Sequence, residues 1–579
     1  MRHPPLAATS RGAARRAIPV FFAVVAAAYL AASILGLGLT WDGSYSLFRA
    51  LDDGWAITPW ARVVNIPLVL PVVAARSLTD DPTVLAAIFS LSYLLVPMGS
   101  LAASWWVVKD RRPRLFVWAV LGIGLVMLPG QVFPISEALM TTQMAWPVFL
   151  AILAVDLGRH ARLLLFVGLV MALSHSVAVA IFLGLAATVV LFDLARRTPV
   201  RPRLRWVAVF AAFAALALLR TAAGELDPTH TPVLSSVPLR SAFRQGVLGL
   251  PLLMLGLAYA GGLCLVAGQA LRGRGRGVWA RRADLLALIL LAGAGTVLLP
   301  WAADVHTWWK ALDYRFFTLF AAGPVTVLAF ADALLSDRPN DRSNARPNAR
   351  PNRPPGDDGS PMRGWIVLTQ AVVILAVLVT ASVAYRDLRT QLAAEVEPGD
   401  PVCTSLGTLD WAHETPLDHW SVSSTSMVIQ GRTPEHVVLP DCRVDLSSGI
   451  PLTKWVIDYA SYDEGWYDLS GLAVLKPKPA AYLQVETVTD WETGTPHSVT
   501  VTVHDRDGGV ATGYRGTIGF TSSDPAADLP PAYTFTERDA GLHYFMFEAT
   551  LRTPGSQWIE AADEADTSIA GRQEAIQVR

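Results

Sequence analysis

Charge is scarce in this chain. Lys, Arg, Asp and Glu make up 16% of its 579 residues, whereas a soluble chain carries about a quarter. That deficit excludes an ordinary soluble globule. Cysteine is scarcer still, with three residues in all, and no tight His/Cys cluster offers a set of metal ligands. The first apolar run has no clean small-residue cleavage site after it, which argues against a removed secretory signal. What the chain does have is apolar sequence: 52% of it, in blocks up to about residue 385, followed by an ordinarily polar tail. The net charge of -1 hides an asymmetry, because arginines cluster in short loops of the first half and acids are richer in the second. Arginines between apolar 20-mers mark the cytoplasmic side of a membrane protein, so no nucleic-acid partner is expected.

The stretch from Gly36 to Trp60 organises the rest. An apolar helix over about residues 18–40 is preceded by Arg2, Arg11, Arg15 and Arg16 with no acid among them. It is read as a retained signal-anchor helix behind a basic cytoplasmic tail (residues 1–17), delivering Trp41-Asp42-Gly43-Ser44-Tyr45 to the outer surface. Asp52-Asp53-Gly54-Trp55 follows within one short loop. Residues 63–78 are apolar but carry Asn65, Pro67 and Pro71, and charge parity places them as a pair of short interfacial helices. Crossings then alternate over residues 83–108, 115–128, 139–155, 163–173, 177–192, 206–219, 246–267, 285–299 and 316–334. Arginine-rich loops such as Arg196 to Arg205 and Arg272 to Arg282 fall on one side throughout.

Residues 336–363, with their Arg-Pro and Pro-Asn units, read as a disordered cytoplasmic linker between the 18–335 bundle and a last span at 364–385. The sum is about 11 spans, N-terminus inside and C-terminus outside. Residues 386–480 should form a small mixed or β-rich extracytoplasmic domain, with strands around His436–Leu439 and Trp455–Tyr459. Cys403 and Cys442 lie there. An oxidising exterior lets them pair, worth about 3 to 4 kcal/mol in the chain-entropy model, the alternative being two free buried thiols. Cys264, within a span, reads as packing.

From residue 481 to 579 the pattern is clean strand alternation, with Val499, Val501 and Val503 on one side and Thr500, Thr502 and His504 on the other. Some seven short strands imply a β-sandwich. Ala511 to Thr517, Phe520-Thr521-Ser522-Ser523-Asp524-Pro525 and Tyr533 to Thr536 with Asp539-Ala540-Gly541 resemble the Ig-like modules of large bacterial surface proteins. That resemblance implies a spacer or adhesive module.

Acids and aromatics gather in the expected outer loops. Asp42 stands at the end of the first span, where a carboxylate is fixed against the membrane surface; Glu137 lies in Phe133-Pro134-Ile135-Ser136-Glu137 of the second outer loop. The layout over residues 15–385 resembles polytopic glycosyltransferases of the GT-C superfamily, which take sugars from polyprenyl-phosphate carriers. In that superfamily an essential acid and short interfacial helices occupy the first outer loop, and Asp42 and residues 63–78 match them. The resemblance implies Asp42 as catalytic base, Glu137 as a second acid, and a lipid-linked sugar donor with an envelope glycan or glycolipid acceptor. A leaving phosphate needs cations or donors, for which Arg315, Arg220, His175 and His306 are the candidates. Trp41, Trp55 and Trp308 are candidates for stacking on sugar rings, although an aromatic belt at the interface explains them equally well. No cofactor is required by this reading, and a divalent metal is left open. The other class of reading is a non-enzymatic membrane scaffold displaying its C-terminal module. A transporter is disfavoured by apolar mid-spans and the lack of an inverted repeat. The Arg and Ala richness suggests a bacterial cell membrane as the setting.

Overall fold

The computed structural model describes residues 6–52, 64–199, 203–225, 250–336, 361–396, 403–413, 415–417, 421–439, 466–468, 472, 479–506, 508–536, 539 and 541–579, with the backbone alone at 6–16, 223–225, 309–320 and 361. The chain divides into two units, residues 1–391 with 414–417, and residues 392–413 with 418–579.

The first unit is helical: α1 (Leu6–Ile34), α2 (Asp42–Asp52), α3 (Asn65–Ala75), α4 (Pro82–Val108), α5 (Phe116–Leu121), α6 (Glu137–Leu153), α7 (Ala161–Ala172), α8 (Val177–Ala195), α9 (Leu204–Glu225), α10 (Leu250–Gly273), α11 (Gly277–Ala303), α12 (Ala311–Ser336) and α13 (Pro361–Glu395). Among the described residues seven helices, α1, α4, α8, α9, α10, α11 and α13, are long and apolar enough to cross a membrane, so the chain is a multi-pass membrane protein. Leu183, Leu219, Ile289 and Val372 remain more than half exposed on them, as side chains facing lipid do. Of the other expected crossings, 316–334 falls within the 26 residues of α12, and 139–155 and 163–173 fall on the shorter α6 and α7. The 12 residues of α7 reach about 18 Å, less than the hydrocarbon thickness of about 30 Å.

Every residue from Leu115 to Gln143 is buried, which makes this stretch the centre of the bundle. It is not the straight crossing expected over 115–128. α5 stops at Leu121, a π turn covers Gly122–Val126, and a 3-10 turn covers Leu128–Val132. Gly122 lets the Trp146 ring press against the backbone, where a Cβ would meet it at 2.0 Å. Pro129 then removes a backbone donor, so a regular helix cannot continue.

Three other boundaries differ from expectation. α1 ends at Ile34, not at residue 40, because Gly36 turns left-handed at φ 77°. Asp42–Asp52, expected as loop, is the helix α2, with Leu47, Phe48, Ala50 and Leu51 buried. α3 is a single helix running through Pro71. The last span extends to Glu395, past residue 385, since Arg386 to Glu395 contains no glycine or proline and Leu388 and Leu392 are buried. The Asn-Ala-Arg-Pro stretch and residues 53–63, 226–249 and 440–465 lie outside the described residues.

Buried aspartates join consecutive helices to arginines. Arg203 bonds Asp193 at 2.6 Å, Arg272 bonds Asp284 at 2.6 and 3.3 Å, and Arg111 reaches Asp156 at 3.3 Å. Arg363 grips both oxygens of Asp332 at 3.0 Å, and Trp118 donates its indole N–H to the same carboxylate at 3.0 Å. These acids were not singled out in the sequence, where only their arginine partners stood out. Asp332→Leu should destabilise the bundle by about 3–5 kcal/mol, because it strands the buried Arg363 charge. Asp332→Leu with Arg363→Met should recover most of that loss in detergent unfolding curves.

The second unit is β-rich. Cys403–Ser405 (β1) pairs in parallel with Val437–Leu439 (β2), and the short helix α14 (Val422–Val428) lies between them in sequence. Cys403 is not a free thiol, Cys442 lies outside the described residues, and Cys264 of α10 is free and half-buried. Two sheets follow, β3 (Tyr482–Glu486), β5 (Pro496–His504) and β8 (Leu542–Thr550) in one, and β4 (Asp490–Trp491), β10 (Ala570–Val578), β9 (Gly555–Asp563), β6 (Thr517–Ser522) and β7 (Tyr533–Thr534) in the other. Val499, Val501 and Val503 are fully buried in a core shared with Trp491, Ile518 and Ile559, as alternation predicts. Gly571 of β10 passes so close to β3 that a Cβ would sit 1.8 Å from the Leu483 carbonyl.

Aspartates close the turns. Asp524 accepts from the Thr553 hydroxyl and from the backbone N–H groups of Thr553, Arg552 and Ala526. Burial alone would raise its pKa, but these bonds outweigh it and hold the carboxyl at about 2. Below the unfolded value of about 3.9 the unfolded state takes up the proton first. The stabilisation is therefore complete above that pH and lost as pH falls through about 2. Asp524→Ala should cost about 1–3 kcal/mol at pH 7 and nothing further below pH 2, read from amide exchange of Ala526, Arg552 and Thr553 in the full chain.

Candidate functional site

The site grows from the turn between α1 and α2. After Gly36, residues Leu37–Leu39 make one 3-10 turn, Thr40 is extended, and Trp41 takes a left-handed φ of 51° before Asp42 opens α2. A tryptophan in that region is uncommon, so surrounding contacts must hold it there. They come from four directions. The Thr40 hydroxyl donates to the Val132 carbonyl at 2.5 Å, with Leu37 O at 2.9 Å. Gly38 packs on Ser90 of α4, where a Cβ would meet the Ser90 Cα at 2.6 Å. The Tyr385 hydroxyl of α13 donates to Leu39 O at 2.9 Å, and Arg389 donates to Leu35 O at 2.7 Å. Gly43 folds back on Gly38, its missing Cβ 1.8 Å from the Gly38 carbonyl and 3.3 Å from Ile135.

Asp42 is thereby fixed in the first turn of α2, half-buried, at the end of a helix whose dipole favours a carboxylate. The segment gripping this turn, Val132 to Ile135, leads into Ser136, the N-cap of α6, and Glu137 at its start. The two acids expected from sequence thus sit on backbone segments locked to one another. Glu137 is buried and accepts from the Asn65 side-chain amide at 3.0 Å; Asn65 in turn accepts from the Tyr93 hydroxyl at 3.3 Å. This chain ties α3, α4 and α6 together. The other end of α2 is tied to α3 as well, because Arg76 donates to the Leu51 carbonyl.

The remaining candidates are placed variously. His175 caps α8, its Nδ1 accepting from the Val177 N–H at 3.1 Å. His306 is exposed on the turn before α12, its backbone N–H bonded to Asp304 at 3.1 Å. Arg220 is half-buried in the last turns of α9. Trp41 is half-buried. Trp308 is fully buried, its indole N–H spent on the Trp301 carbonyl at 3.0 Å, which leaves no exposed face for a sugar ring. The Arg315 side chain and Trp55 lie outside what is described.

Sequence reasoning missed Asn65 as a partner of Glu137, and also Tyr93, Tyr385 and Arg389. The only signal for Arg389 was its spacing of four from Tyr385, just past the last apolar run; its guanidinium stands over that ring at 5.5 Å. Arg389 has no carboxylate at ion-pair distance among the described residues, and its Nε is unbonded. Also among the described residues, no group of three or more His, Cys, Asp or Glu gathers as metal ligands would. The arrangement therefore presents a fixed carboxylate, a second buried and hydrogen-bonded acid, and a guanidinium with spare donors around one turn. No protein-family model, curated protein or solved structure matches the chain.

Gly43→Ala should force the turn apart, costing about 1–3 kcal/mol in thermal unfolding. Gly99→Ala in α4, where a Cβ meets nothing within 4 Å, should be neutral or slightly stabilising in the same assay.

Proposed function

We propose that the chain is a membrane glycosyltransferase that moves a sugar from a polyprenyl-phosphate carrier to an envelope glycan or glycolipid on the outer face of a bacterial membrane. The observation carrying this reading is the Asp42 turn, held by α4, α13 and the Val132–Ile135 segment that leads into Glu137. Such over-determination of one carboxylate is what a reaction needing a positioned base requires. In the reaction, Asp42 takes the proton of an acceptor hydroxyl as its oxygen attacks the anomeric carbon. The bond from that carbon to the carrier phosphate breaks, and the electron pair leaves with the phosphate. Arg389, with Arg220, His175, His306 and Arg315 as the other candidates, would hold the departing charge. Glu137, through Asn65, would orient the acceptor, and Trp41 and Trp55 would flank the sugar.

The same reading sets the chain in the membrane with about eleven crossings, the N-terminus inside and the second unit outside. An Ig-like module and a Cys403–Cys442 bridge belong to that exterior. A bundle of this size is more than a single anchor needs, which weighs against the scaffold alternative. The test is transfer of labelled sugar from polyprenyl-phosphate donors in membranes. Asp42→Asn should lower the rate about 10²–10⁴-fold with insertion unchanged. Undiminished transfer by Asp42→Asn would remove it as the base, and no transfer by the wild type across a broad donor panel would favour the scaffold.

A further inference from the structure

The outward face of the β3–β5–β8 sheet differs from the rest of the second unit. Opposite the buried row Val499, Val501 and Val503, the central strand β5 presents Ser498, Thr500 and Thr502. On either side stand Tyr482, Gln484 and Glu486 of β3, and Leu542, Tyr544 and Met546 of β8, in the paired rows Gln484–Thr502–Leu542 and Glu486–Thr500–Tyr544. Small hydroxyl residues thus line the central strand, with Tyr482 and Tyr544 on the strands to either side. From Ser498 to Thr502 this row runs about 14 Å, the length of a short oligosaccharide.

A bulge extends the β8 side. The β5–β8 register shifts between His497 and Val499, and Phe547 adopts φ 56° with its N–H donating to the Ser498 hydroxyl at 3.0 Å. Met546 and Phe547 both turn outward, 61% and 66% exposed, beside Tyr544 at 52%. A left-handed phenylalanine is strained, and bulges of this kind re-aim side chains at functional surfaces. Among the described residues the hydroxyls of Thr500, Tyr482 and Tyr544 carry no hydrogen bond, whereas Thr502 is buried, one side of the Tyr482 ring stacks on His504 with centroids 5.0 Å apart, and Gln484 bonds Glu486 at 2.7 Å and His504 at 2.8 Å.

We propose that this face binds a neutral glycan chain. Tyr544, Phe547 and the side of Tyr482 turned away from His504 offer aromatic faces to the apolar sides of sugar rings, and the Thr500 and tyrosine hydroxyls meet sugar hydroxyls, which donate and accept alike. Charge selects the class. The three strands hold no lysine or arginine, while Glu486 and Glu548 are exposed, so acidic glycans and anionic lipid headgroups are repelled. An extended peptide would instead add to the open edge of β8, but the bulge at Met546 and Phe547 interrupts that edge. The face makes no use of the membrane unit and stands whether or not that unit transfers sugar.

The test is binding of soluble β-glucan, mannan and galactan to the full chain in nanodiscs, with alginate as the acidic comparison. At least one neutral polymer should bind and alginate should not. Tyr544→Ala and Phe547→Ala should each weaken binding about tenfold, and Thr500→Val by less, with amide exchange of β5 unchanged. Asp42→Asn should bind as the wild type does, which separates this site from the transfer reaction. Failure of every neutral polymer to bind, or binding untouched by Tyr544→Ala and Tyr482→Ala, would overturn the proposal. So would a concentration-dependent dimer abolished by Tyr544→Ala, which would assign the face to a second copy.

Discussion

In a helical bundle with an apolar exterior, a buried polar atom has no water to fall back on and must find its partner within the chain. The helices satisfy their own backbones. The polar work is therefore concentrated where helices stop. Four buried aspartates meet arginines at such ends, and Tyr29 of α1 reaches Gln131, which itself donates to Ile123 O where the central segment loses its regular helix. Each contact is costly to break singly, because its partner is left buried and charged or unsatisfied.

The Asp42 turn is the extreme case. Between Leu35 and Gly43 the backbone leaves the helix, and its carbonyls are met one by one by Arg389, Tyr385 and its own 3-10 turn. Two close approaches, at Gly38 and Gly43, admit no side chain, and Trp41 is held left-handed. A turn so constrained fixes the backbone from which the carboxylate projects. Glu137 reaches the same rigidity by another route, through an amide and a phenol from two other helices. Both acids are thus positioned by separate parts of the scaffold.

The second unit obeys the opposite rule. Its turns are closed by aspartates at Asp524, Asp539 and Asp563, each bonded to neighbouring donors, and burial is complete in the shared core. Against that saturation, one sheet face leaves Tyr544, Met546 and Phe547 more than half exposed. Contiguous exposed rings of this kind are where a binding surface is looked for first.

What the sequence by itself determined was the class of the molecule and the places of its elements. Apolar runs of helical length and period-two alternation report solvent preference residue by residue, so the helical bundle and the β-rich tail were legible. Boundaries were less so, since Gly36 ends α1 early while nothing ends α13 before Glu395. Only the tertiary structure decided which polar residues meet. Asn65 lies 72 positions from Glu137, Leu39 lies 346 from Tyr385, and Asp332 is 214 from Trp118. A pairing across such distances leaves no local pattern, because the hydrogen bond depends on where helices pack and not on what flanks either residue in the chain.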